Sequence, residues 1–146
     1  MRKKMKLIMF FFLLLGMSLA NYSQTGCETA SDLVTKALVE FYDNKNNMEA
    51  IKNLTKAIDM CPSDAFAYYN RGNVKLKMED YRGAVSDFKD AIDLGLKNDD
   101  TKANCYYGLG VCLYSLGDKL NGCKAFTKSG ELGLEKVYEV IRKYCN

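Results

Sequence analysis

Along most of this chain apolar and small residues recur every three or four positions, with polar residues between them. That rhythm lines one face of a helix, because residues i, i+3 and i+4 are neighbours there. It is clearest over residues 65–96, AFAYYNRGNVKLKMEDYRGAVSDFKDAIDLGL. The pattern predicts two amphipathic helices joined by a short polar turn. The first carries Tyr68, Gly72 and Leu76, the second Ala84, Phe88 and Ala91. Gly72 and Ala84 are small enough for two helices to approach closely, and Phe88 fills the space between them.

The same signature flanks this stretch on both sides. In residues 31–64, Ala50, Leu54 and Ala57 match Ala84, Phe88 and Ala91 at an offset of 34, and Pro62 stops the second helix because it lacks a backbone N–H. Downstream, after a polar insertion Asp99–Lys102, residues 103–136 repeat the pattern at an offset of 38. There Tyr106, Leu109 and Gly110 match Tyr68, Arg71 and Gly72, while Gly122, Phe126 and Ser129 take the small-aromatic-small places. Leu116, Gly117 and Asp118 form the turn between the two helices. A last helix is expected over residues 134–145 after a break at Gly133, with Val137, Val140, Ile141 and Tyr144 on one stripe. Residues 21–30 are polar and expected to be irregular. The total is seven helices.

Three registered copies of a helical hairpin near a 34-residue period resemble the tetratricopeptide repeat, in particular small exported bacterial members with a C-terminal capping helix. The resemblance implies an all-α, right-handed α-solenoid of three hairpins, 31–64, 65–98 and 103–136, closed by a cap over 134–146 that overlaps the third. The first hairpin departs from the family in carrying Leu38 where a small residue is preferred. In this family the first helix of each repeat lines a concave groove. Its inward positions fall here on Tyr42, Phe66, Tyr69, Asn73, Lys77, Tyr107, Val111 and Tyr114. Tyrosine suits such a surface, offering much contact area, few rotatable bonds and a polar tip. An extended peptide or a partner helix fits the role. Asn70 and Asn73 sit where the family's carboxylate clamp begins, but its basic residues in adjacent repeats are missing, which argues against capture of a C-terminal carboxylate by that device.

Residues 1–20, MRKKMKLIMFFFLLLGMSLA, have the form of a secretory signal: a basic start, the apolar run Leu7–Leu15, and small residues at Ser18 and Ala20. Cleavage is expected after Ala20, with cleavage before Gln24 as a second choice. The apolar run is short for a bilayer crossing of about 20 residues, which sets aside the rival reading of an uncleaved anchor. Gly26-Cys27 is a fainter lipoprotein-like site. The expected location is therefore periplasmic or secreted, with a lipid anchor as the lesser alternative. The leader also holds four of the 21 basic residues and no acid; without it 17 basic residues face 18 acidic ones. A net charge of −1 gives nucleic-acid binding no electrostatic support.

Cys27, Cys61, Cys105, Cys112, Cys123 and Cys145 suit an exported chain with disulfides, though six cysteines allow 15 pairings. Cys105 and Cys112, seven apart on one helix, are about 10.5 Å apart along its axis and cannot pair there; they read as small buried thiols. Members resembling this chain carry a Gly-x-Cys-like pair on the last repeat helix and a terminal Lys-Tyr-Cys. Here these are Gly122-Cys123 and Lys143-Tyr144-Cys145, which implies a Cys123–Cys145 disulfide that pins the cap. Cys27–Cys61 is the second expected pair, because the start and end of an antiparallel helical hairpin meet.

Little else suggests chemistry. The sequence has no histidine, hence neither the commonest general base nor the commonest metal ligand. It shows no Cys-x-x-Cys, zinc spacing or phosphate-cradling glycine loop. Asp87, Asp90 and Asp93 read as a hydrated helix face, and the Asn53-Leu54-Thr55 glycosylation triplet as incidental. The expectation is a non-catalytic interaction module of the cell envelope, with no cofactor, metal or catalytic residue and with a protein or peptide as partner. The alternatives are a thiol redox factor and a structural accessory subunit of an envelope complex.

Overall fold

The computed structural model describes residues 26–145. Residues 1–20, with the cleavage and anchoring expectations attached to them, and residues 21–25 lie outside the described residues. Within them the chain forms seven helices and no strand. In order these are α1 (26–42), α2 (Asn47–Met60), α3 (Ala65–Lys77), α4 (Tyr81–Leu94), α5 (Asp99–Ser115), α6 (Lys119–Glu131) and α7 (Val137–Tyr144). None is long and apolar enough to cross a membrane.

The repeat is visible in the backbone itself. The turns inside the three hairpins each place one residue at positive φ: Lys45 at 54°, Glu79 at 63° and Gly117 at 88°. Each is followed by a helix cap, Asn46, Asp80 or Asp118. The cap side chain accepts the N–H three residues on, from Glu49 at 3.2 Å, Gly83 at 3.0 Å and Asn121 at 3.2 Å. Such a side chain satisfies a backbone donor that has no partner within the helix.

Three boundaries differ from the sequence reading. Residues 26–30 are helical rather than irregular: Ala30 is buried in the first hairpin's core, and Cys27 is bonded to Cys61. The four-residue insertion Asp99–Lys102 is helical, the first turn of a longer α5. Asn98 caps it by accepting the Thr101 N–H at 2.9 Å, and Asp99 and Asp100 suit the positive end of the helix dipole. The cap helix starts at Val137, three residues later than expected.

Packing follows the small-large-small triplets. Ala50, Leu54 and Ala57, then Ala84, Phe88 and Ala91, are buried, as are Gly122, Phe126 and Ser129. Phe88 wedges between α3 and α5: a Cβ on Gly72 would sit 2.8 Å from its ring, and one on Gly108 2.7 Å. Phe126 presses against Gly110 in the same way. At Gly122 a Cβ would meet the α5 backbone, 3.0 Å from the nitrogen of Tyr114, so α5 and α6 touch backbone to backbone there. Ser129 donates to the carbonyl of Ala103 at 2.8 Å, satisfying a hydroxyl buried where the second hairpin has Ala91.

One assignment to the solvent face is wrong. Asp90 and Asp93 are exposed, but Asp87 is 1% exposed. Its carboxylate accepts from Nε and Nη2 of Arg71 at 2.9 and 2.8 Å and pairs with Nζ of Lys75 at 2.7 Å. Arg71 also donates to the hydroxyl of Thr55 at 3.2 Å, so the cluster ties α4 to α3 and α3 to α2.

Candidate functional site

α3 packs on α5 as well as on its neighbours along the chain, which sets the first helices of the second and third hairpins side by side. The predicted inward residues stand on these two helices and on α1, and they fall into two groups.

The first group is on α1 and α3. Tyr42, at the end of α1, is 63% exposed, with its ring 4.7 Å from the core-packed Phe41. Phe66, in the first turn of α3, is 42% exposed and lies 6.0 Å from the ring of Tyr69. Tyr69 is half-buried against Phe88, ring to ring 6.4 Å, with Asn73 beside its hydroxyl. Burial raises the Tyr69 hydroxyl above its ordinary pKa, the Asn73 side chain opposes that, and Tyr42 and Cys105 nearby add to it. Tyr42, Phe66, Tyr69 and Asn73 therefore form one patch. Lys77 stands exposed in the last turn of α3. Asn70 is turned away from it: buried, its amide donates to the carbonyl of Phe66 at 2.7 Å.

The second group, Tyr107, Val111 and Tyr114, faces α7. Together with Ser115, Phe126, Val140 and Tyr144 these residues line a pocket of about 330 Å³. The rings of Tyr107 and Phe126 are 5.8 Å apart, and those of Tyr114 and Tyr144 meet edge-on at 5.5 Å. Lys136, Lys119 and Lys143 hold their ammonium groups 5.5, 5.6 and 5.0 Å from the centres of Tyr107, Tyr114 and Tyr144. Val140 and Tyr144 read in the sequence only as the packing stripe of the cap; their periodicity was visible, their place in a pocket wall was not. Nothing in the sequence marked the three lysines. A larger cavity, about 570 Å³, lies at the helix-connection end, between Cys27–Cys61, Asp64–Phe66 and Leu94–Asn98.

The cysteines divide into two disulfides and two thiols. Cys27–Cys61 joins α1 to the end of α2, and Cys123–Cys145 joins α6 to the end of α7, with Cα–Cα distances of 4.8 and 5.6 Å. Cys105 and Cys112 are free and buried, and burial pushes both thiols up to about 12. A reactive thiol needs the opposite, an accessible sulfur with a depressed pKa. No cluster among the described residues has three or more groups able to hold a metal ion.

Residues 40–79 match the family described as TPR repeat, and residues 67–95 the family described as tetratricopeptide repeat. DnaJ homolog subfamily C member 7 of Mus musculus is 34% identical over 92 residues, 63% of this chain and 18% of that protein. The chain thus spans about a fifth of that relative. Among solved structures, the N-terminal domain of stress-induced protein-1 (STI-1) from C. elegans superposes with a TM-score of 0.74 at 16% identity, covering 83% of this chain and 98% of that one. The first TPR of Spaghetti (RPAP3), bound to the HSP90 peptide SRMEEVD, has a TM-score of 0.72 at 23% identity, covering 81% and 91%. At such identities the two structures speak for the fold. With the sequence matches, the repeated turns and the wedged triplets, they make this chain a tetratricopeptide-repeat protein, an all-α helical solenoid.

Proposed function

We propose that this protein is a non-catalytic binding module that holds a peptide or a segment of a partner protein along the face of α1, α3 and α5. The observation that carries this reading is the set of half-exposed aromatics on that face: Phe66 and Tyr69 on α3, Tyr107 and Tyr114 on α5, with Tyr42 beside them. Rigid aromatic side chains give contact area at little entropic cost. Support also comes from RPAP3, whose first TPR is bound to a peptide. The Asn70 amide is buried and donates to the Phe66 carbonyl, and the basic residues of adjacent repeats are missing, which argues against a carboxylate clamp of the family's usual form. The thiol redox alternative is disfavoured by the burial and raised pKa of Cys105 and Cys112. We place the module outside the cytoplasm, in the periplasm or secreted, on the strength of the signal-like residues 1–20 and the two disulfides.

Crosslinking in the native cell, with the Tyr69→Ala/Tyr107→Ala variant beside the unaltered protein, tests the reading. Loss of the captured partner in the variant is expected. Retention at full strength would show that the face is not the binding surface.

A further inference from the structure

We infer that the pocket between α5 and α7 receives a bulky apolar side chain from an acidic peptide segment of the partner. This rests on the concave-face reading and names the chemistry the partner brings to that face.

The floor and walls are almost wholly apolar or aromatic, from Tyr107, Val111, Tyr114, Phe126, Val140 and Tyr144, and no carboxylate lines the pocket. Three cations stand on the tyrosines of its wall. Lys119, Lys136 and Lys143 are all exposed, and each stands over a different tyrosine of the wall. An ammonium above a ring face is held by the ring's quadrupole yet keeps its outer hydrogens for a carboxylate. The contrast with the cavity beside Cys27–Cys61 is direct, since that one carries both Asp64 and Lys97 and selects neither sign. In the pocket between α5 and α7, an apolar anchor supplies the binding energy by leaving water. Flanking acids supply selectivity and a faster encounter, both weakened by salt.

α7 is the short wall, held at its start by buried Val137 and by the Tyr138 hydroxyl, which donates to the Gly130 carbonyl at 3.1 Å. Of its eight residues only Val137 is fully buried, and its far end is tied down through Cys123–Cys145. The disulfide therefore helps to hold this wall of the pocket in place.

A displayed random-peptide library selected on the oxidised full chain tests this. Enriched sequences are expected to pair a leucine-, isoleucine- or phenylalanine-like residue with neighbouring Asp or Glu. A synthetic peptide of that type should shift the amide signals around Tyr114 and Val140. Its affinity should drop about tenfold or more, which is about 1.4 kcal/mol or more, in Lys119→Gln/Lys136→Gln/Lys143→Gln. It should drop again in Cys123→Ser/Cys145→Ser, with unfolding curves confirming that both variants are folded. Enrichment of neutral or basic peptides, or of none, overturns the inference. So does capture by phosphatidylglycerol vesicles through the same lysines without any peptide binding. If acidic peptides instead shift signals around Phe66 and Tyr69, the pocket inference fails while the concave-face reading stands. If cellular partners also survive Tyr69→Ala/Tyr107→Ala, both fail.

Discussion

Arg71 on α3 grips Asp87 on α4 with two parallel hydrogen bonds of 2.9 and 2.8 Å, inside a solenoid whose other hairpins have no such pair. The corresponding places hold Ala37 and Asn53 in the first hairpin and Leu109 and Ala125 in the third. Removing only the carboxylate leaves Arg71 and Lys75 facing each other without a counter-charge. Asp87→Ala should therefore destabilise the fold by about 3 kcal/mol or more. The double variant Arg71→Leu/Asp87→Ala copies the third hairpin and should cost less than Asp87→Ala alone. Urea unfolding of the two variants decides; a double variant worse than the single would show that the pair contributes more than its own compensation. In the first hairpin the buried Asn53 has no hydrogen-bond partner for its Nδ2 among the described residues, so Asn53→Ala should be neutral or stabilising in the same assay.

Gly72 and Phe88 are a matched pair, as are Leu38 and Leu54 at the same places one repeat earlier. The smaller Leu54 leaves room for the side chain of Leu38; the ring of Phe88 does not leave room for a Cβ on Gly72. Gly72→Leu should thus cost about 3 kcal/mol through overpacking, and adding Phe88→Leu should restore part of it. The double-mutant cycle measures this as a coupling of opposite sign to the single losses. Strict additivity would mean that the two sites do not share the space.

These pairs show what the sequence made legible. Small-large-small triplets at offsets of 34 and 38 were enough to find three hairpins, because helix packing depends on residue size at fixed spacing. Asp87 was misplaced because a carboxylate in a polar run looks hydrated, and its partner lies 16 residues away on another helix. The helical form of the Asp99–Lys102 insertion was hidden because an added polar turn of helix and a polar loop have the same composition. The cap signal at Asn98 was there to separate them. The aromatics on α1, α3 and α5 were assigned by register from the family resemblance. The lysines over them were not, since Lys136 and Lys143 reach the pocket only when α7 folds back.

Lys45 and Glu79 adopt the left-handed φ that Gly117 adopts in the third hairpin. A side chain with a Cβ is strained there by about 1 kcal/mol relative to glycine. Glu79→Gly gains that back and loses some through the greater freedom of glycine in the unfolded chain. Because Glu79 is exposed and makes no side-chain bond that would be lost, the net should be a small stabilisation, with Lys45→Gly alike. Thermal unfolding checks it; a fall in midpoint for both would show that the entropy loss outweighs the strain.

Cys105 and Cys112 offer a test that separates a structural from a redox role. Both thiols are buried, Cys105 lies against the carbonyl of Phe88 at 3.5 Å, and burial carries both from 9.0 to about 12. Below about pH 9 the folded and unfolded chains both keep these protons, and the stabilising effect of the raised values is fully present. Between 9 and 12 the unfolded chain releases them while the folded chain does not, so stability falls as the pH rises. The urea midpoint should drop between about pH 8.5 and about pH 10.5, and drop less in Cys105→Ala/Cys112→Ala, which removes these two titrations but not those of tyrosine and lysine. At neutral pH the native protein should react negligibly with an aromatic disulfide reagent, whereas the denatured, unreduced chain should release two equivalents. A thiol that reacts rapidly in the native protein would return the redox reading to favour, because only an accessible thiolate attacks a disulfide at that rate.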